Sequence, residues 1–124
     1  MKEIKQKGSK DCGAACIAMI AEVKYERAYA ALYKWDKPWA ADFSEMKRAL
    51  KRLKIKTSPS LQSCFGNPDD HLTTKFDAIV RVNHRKAAKE GHWVVWDSQA
   101  SKFLDPLKKP YKKLRVHAYI KIVR

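Results

Sequence analysis

An α+β fold, with a helical N-terminal half packed on a C-terminal antiparallel sheet, is predicted by three observations. Apolar residues recur at helical spacing from Cys12 to Leu53, the runs between residues 76 and 122 are short and β-rich, and no Gly/Ser/Pro-rich linker, repeat or low-complexity tract divides them. With 124 residues, 45% of them apolar, the chain is long enough for one core and too short for two ordinary domains, so 1–124 reads as a single domain.

The first helix starts after Asp11, an N-cap residue type, and runs through Cys12-Gly13-Ala14-Ala15-Cys16-Ile17-Ala18-Met19-Ile20-Ala21. Its small and apolar residues suit a buried helix. A second helical stretch covers 25–33 and leads into an irregular segment with Trp35, Pro38 and Trp39. In the third, Phe43, Met46, Leu50 and Leu53 recur at steps of three, four and three, Asp42 or Ser44 can cap it, and Lys47, Arg48, Lys51 and Arg52 fill the other face. After Pro59 a loop with Gly66, Asn67 and Pro68 precedes four expected strands, 76–82, 92–96, 102–105 and 116–122. Trp35, Trp39, Trp93 and Trp96 are all expected in the core. A cleft is expected between the helical and sheet halves.

The longest apolar run, 14–21, is broken by Glu22 and Lys24 and falls well short of the roughly 18 residues of a membrane span. The first seven residues carry several charges and lack the apolar stretch and cleavage site of a secretory signal, so a cytoplasmic location is expected. Three cysteines, an odd number, argue for reduced thiols in preference to a disulfide framework. Lys and Arg number 27 against 13 Asp and Glu, a formal charge of +14 whose field favours acidic partners. Two stretches, 47–56 and 106–124, contain no acid, and the second carries Tyr111 and Tyr119. Such stretches suit a solvated surface, and they also suit nucleic-acid binding, in which cations meet phosphates and rings stack on bases. Oligomeric state is not legible in the sequence.

Cys12 heads the first helix, where free amides and the helix dipole favour a thiolate. By position alone it suits a nucleophile and a small buried hydrophobe equally, and the second reading is the one expected of Cys16 and Cys64. His92-Trp93-Val94-Val95-Trp96 and Ser101-Lys102-Phe103-Leu104-Asp105 flank a polar stretch and read as a hairpin. If 97–100 is the loop, Trp96 faces Ser101, Val94 faces Phe103 and His92 faces Asp105. Opposed residues share a side of the sheet with β-carbons about 5 Å apart, close enough for a carboxylate to hold an imidazole. A slip of one residue would part them. Pro106 keeps Asp105 extended and helps end the strand. Cys12, Cys16, Cys64 and His71 show neither a CxxC pair nor a recognised histidine spacing, so zinc is not the expected reading.

Taken together, Gln6, the block Asp11-Cys12-Gly13-Ala14-Ala15-Cys16-Ile17-Ala18-Met19, Gly91-His92-Trp93-Val94-Val95-Trp96 and Phe103-Leu104-Asp105-Pro106 resemble the bacteriocin-processing peptidases. These are the papain-like domains that remove double-glycine leader peptides. The resemblance implies a papain-like fold with a central nucleophile helix, Cys12 as nucleophile, His92 as general base, Asp105 as its orienter and Gln6 as side-chain donor to the oxyanion. It implies a thioester route on a peptide or protein substrate, with no metal or cofactor. That family's domains are usually fused to a membrane transporter with an ATPase; these 124 residues hold neither, so a stand-alone peptidase, acting on an acidic substrate if its basic surface takes part, is the expectation. The same apparatus serves other acyl transfers, including deamidation, transglutamination and removal of a ubiquitin-like tag, and a domain of this kind that only binds peptide is a further alternative.

Overall fold

The computed structural model describes residues 1–63, 76–85 and 90–124, with backbone alone at 63, 84–85 and 90–91. The expected Gly66-Asn67-Pro68 loop, Cys64 and His71 lie outside the described residues, as does the side chain of His84.

Three helices come first. The helix α1 (Cys12–Ala21) buries every residue from Cys12 to Ile20, which accounts for its run of small and apolar side chains. It stops at Glu22, whose left-handed backbone (φ 56°) brings the Val23 N–H back to the Ala18 carbonyl at 3.2 Å. Gly13 permits a close helix crossing, because a β-carbon there would stand 2.8 Å from Met46 Sδ and 3.2 Å from Leu32 Cδ2. The helix α2 (Tyr25–Tyr33) buries Ala28, Leu32 and Tyr33. The helix α3 (Phe43–Arg52) opens with the capping box its sequence allows, the Asp42 carboxylate taking the Glu45 N–H while Glu45 returns the favour to Asp42. Lys51 and Arg52 sit in its last turn, where the helix dipole favours cations, and Met46, Ala49 and Leu50 face inward.

The remaining elements are β1 (Lys56–Thr57), β2 (Gln62–Ser63), β3 (Ala78–Arg85), β4 (Glu90–Asp97), β5 (Lys102–Leu104) and β6 (Val116–Val123). They run antiparallel in the order β1-β6-β3-β4-β5, with β2 also on β6. Helices followed by an antiparallel sheet make this an α+β fold, as predicted. One face of the sheet, with Ile79, Trp93, Val95, Leu104, Ile120 and Ile122, shares a core with all three helices. Ala78, Val80, Val82, Val94, Trp96 and Val116 form a second apolar cluster, joined by Phe76, Phe103, Leu114 and Tyr119. The strands β1 and β2 were not foreseen: two residues show no alternation, and their pairing with β6 defines them.

Two expectations need correction. Trp93 and Trp96 are buried, but Trp35 is 71% exposed and Trp39 36% exposed. Both belong to the segment beyond α2, where Lys34 and Trp35 take successive left-handed conformations and carry the chain away from the core. The β4–β5 register also differs. Val95 pairs with Leu104, Trp96 with Phe103 and Asp97 with Lys102, so the four-residue loop is 98–101 and not 97–100. Asp97 closes the strand because its Oδ1 accepts the N–H groups of Gln99 and Ala100 at 3.1 and 3.3 Å, an Asx-type turn completed by Ser101 at φ 51°. The pairing is displaced by two positions, which preserves side-chain parity, and His92 and Asp105 stay on one side of the hairpin.

Candidate active site

Cys12 is the first residue of α1 and is 6% exposed. One turn on, Cys16 is fully enclosed, and that burial, with the nearby Cys12 and Asp105, pushes its thiol well above the usual range. The helix entrance itself is unusual. Asp11 occupies the N-cap position but makes no side-chain bond to the first turn of α1. Its carboxylate instead accepts the Lys7 and Gly8 N–H groups, each at 2.7 Å, and the Tyr25 hydroxyl. Burial works against that charge, and these hydrogen bonds overcome it, holding the Asp11 carboxyl below the usual carboxylate range. The consequence is local: the carboxylate that would satisfy the amides at the helix start faces the other way, and no side chain caps the N–H groups beside Cys12.

His92 enters from β4, with Nε2 2.8 Å from Asp105 Oδ1. The carboxylate engages Nε2, which leaves Nδ1 free. Burial disfavours a charged imidazole here, but the bond to Asp105 and the nearby Cys12 thiol outweigh it and raise the His92 pKa to about 9.

Asp105 follows β5 directly and is buried. Besides His92, its Oδ1 accepts the Leu107 N–H at 3.0 Å and its Oδ2 the Tyr111 N–H at 3.1 Å. Burial raises the carboxyl's pKa, and the three hydrogen bonds more than offset that, leaving Asp105 ionised below the usual carboxylate range.

The N-terminal segment is fastened to this same corner. Lys5 Nζ donates to the carbonyls of Asp105 and Leu107, each at 3.0 Å, and the Gln6 N–H donates to the Pro106 carbonyl at 2.7 Å. Gln6 is 3% exposed. Its Nε2 donates to the Gly8 carbonyl at 2.7 Å, which fixes the amide's orientation and leaves one N–H of that group for another acceptor. Its Oε1 meets no hydrogen-bond partner among the described residues.

The structure thus brings Cys12 close to His92, which Asp105 holds through a hydrogen bond, and ties Gln6 to the residue after Asp105. The sequence did not point to Tyr111, whose ring stands edge-on to His92 with centroids 5.4 Å apart. The sequence presents it only as an aromatic in a basic stretch, and no local pattern ties it to His92. Nor did it show that Asp11 would turn from α1, which depends on Tyr25, 14 residues away. Among the described residues no three His, Cys, Asp or Glu side chains gather as a metal site, and no helix is long and apolar enough to cross a membrane.

Arranged this way, a thiol can pass its proton to an oriented imidazole at the open end of a helix, which is the equipment of nucleophilic acyl transfer. Compared with known proteins, the chain matches the model of the peptidase C39 family over residues 1–115. No curated protein matches it.

Proposed function

From a chain that belongs to the peptidase C39 family, the bacteriocin-processing cysteine peptidases of the papain-like superfamily, we propose a papain-like peptidase that hydrolyses peptide or isopeptide bonds through Cys12, His92 and Asp105. The observation that carries this reading is His92, held by Asp105 at 2.8 Å and standing close to Cys12 at the start of α1. The core shared by α1–α3 and the sheet supports residues 1–124 acting as one domain.

The geometry supports the following chemistry. Asp105 accepts the Nε2 proton of His92, which fixes the tautomer with Nδ1 free to take the Cys12 proton. The Cys12 sulfur then attacks the scissile carbonyl carbon, and the C=O electron pair moves onto oxygen. That oxyanion is received by the uncapped Cys12 N–H and the second Nε2–H of Gln6. As the tetrahedral intermediate collapses, the C–N bond breaks and His92 gives its proton to the departing amine, leaving a thioester on Cys12. Water, deprotonated by His92, attacks the thioester, and the sulfur leaves to regenerate the enzyme. The residues of this chain supply every proton transfer.

Incubation with internally quenched peptides containing a Gly-Gly site tests the reading. Cleavage that vanishes in Cys12→Ala and His92→Ala, with an acyl adduct on Cys12 in rapidly quenched wild-type protein, is the expected result. Cleavage that survives Cys12→Ala overturns it.

A further inference from the structure

The loop that holds Asp105 also carries a concentration of unpaired charge. Asp105 is the last acidic residue of the chain, and its carboxylate is occupied by His92, Leu107 and Tyr111. Beyond it Lys108, Lys109, Lys112, Lys113 and Arg115 are all exposed, and among the described residues none of them forms an ion pair. The loop is nevertheless fixed in place, because two of its amides bind the Asp105 carboxylate and Lys5 holds the Leu107 carbonyl. Lys112 and Lys113 line an open cavity of about 440 Å³ together with Phe103, Tyr111 and Leu114; of its two acids, Asp105 is engaged by His92 and Glu3 is paired with Lys5.

Chemistry tells which part of a substrate meets this loop. The departing amine takes its proton from His92, so the segment after the cleaved bond begins at the imidazole. Tyr111 stands edge-on to that ring and Lys112 and Lys113 follow it directly in the chain, so the loop that carries the lysines borders the imidazole. Screening confines exposed charges to a reach of about 8–10 Å at physiological salt, so cations near the imidazole act on this segment more than those on distant elements.

We propose that the loop 107–115 selects substrates carrying acidic residues on the carboxyl-terminal side of the cleaved bond. The inference rests on the peptidase reading and adds to it the chemistry of the leaving segment. A few exposed charge pairs in a fixed surface amount to roughly a tenfold preference at low salt.

The test uses the full chain and three quenched peptides with one Gly-Gly core: Glu-Asp-Glu after the site, the same three residues before it, or Gln-Asn-Gln after it. Two variants of equal net charge are compared, Lys108→Glu/Lys109→Glu/Lys112→Glu/Lys113→Glu in the loop and Arg48→Glu/Lys51→Glu/Lys54→Glu/Lys56→Glu on α3, β1 and the turn between them. In parallel, fluorescence anisotropy measures binding of a labelled acidic peptide matching the released fragment. The inference expects a roughly tenfold preference for acids after the bond, collapsing in the loop variant and persisting in the α3/β1 variant. Equal preference for acids on either side, or equal loss in both variants, overturns it and leaves only the general field of a +14 protein. A single-stranded oligonucleotide of matched charge that binds the loop more tightly than the peptide overturns it in favour of nucleic acid. Should no peptide be cut, the anisotropy still decides. Loop-dependent capture of the acidic fragment upholds charge selection, its absence overturns it, and the missing turnover counts against the peptidase reading alone.

Discussion

Gln6 and Pro106 are joined backbone to backbone, the Gln6 N–H donating to the Pro106 carbonyl at 2.7 Å. One hydrogen bond across 100 residues therefore ties the proposed oxyanion donor to the residue following the proposed orienting carboxylate. Lys5 doubles the tie by binding the carbonyls on either side of Pro106. The oxyanion donor and the imidazole are thereby mounted on one frame, which is what stabilising a short-lived charge requires.

Gln6→Ala keeps the backbone bond to Pro106 and removes only the amide. It is expected to lower kcat about 100-fold with a small change in KM and in thermal midpoint. Lys5→Ala, which removes an anchor and no oxyanion donor, should cost clearly less. Steady-state kinetics of the two variants beside their melting curves check this; equal losses would assign Gln6 to anchoring alone.

The His92–Asp105 pair links stability to pH in a defined window. His92 is raised from 6.5 to about 9, so its contribution is fully present below about pH 6.5 and is lost as pH rises through about 9. Asp105 is lowered, so its contribution is present above its ordinary value near 3.8 and is lost as pH falls through its depressed one. Both are in force between about pH 4 and 6.5. Urea denaturation from pH 5 to pH 10 should show wild type more stable than Asp105→Asn at pH 6, with the gap narrowing by up to about 3 kcal/mol by pH 10. A gap that stays constant across that range would mean the pair is not charged as described.

Tyr111 shields one side of the imidazole with its ring while its N–H binds Asp105. Only the ring is lost in Tyr111→Ala, since the amide remains. That variant should lower kcat/KM by roughly tenfold and speed exchange of the His92 Nε2 proton with water, followed by NMR. Tyr111→Phe keeps the ring and should restore both. If Phe behaves like Ala, the hydroxyl and not the ring is the active part.

The helices α1 and α3 were legible from their own residues: the cap Asp42, the apolar steps Phe43, Met46 and Leu50, and the small-residue run behind Cys12. Strand positions were legible to within a few residues, but the β4–β5 register was not, since Asp97 organises the turn with its own side chain and moves the pairing by two. His92 and Asp105 still meet, because an even slip keeps parity. The placement of Gln6 came only from family resemblance, as its anchoring depends on residues a hundred positions away. Tyr111, the turned Asp11 and the exposed Trp35 and Trp39 follow from tertiary contacts or backbone conformations that local patterns do not encode.

Limiting iodoacetamide applied to the native protein between pH 5 and pH 9, with peptide mapping of all three cysteines in wild type and His92→Ala, tests the central claim most directly. The account predicts that Cys12 is alkylated selectively over the enclosed Cys16, and that this selectivity disappears in His92→Ala. Slow labelling of Cys12 with the pH profile of an ordinary thiol, unchanged by His92→Ala, would contradict it.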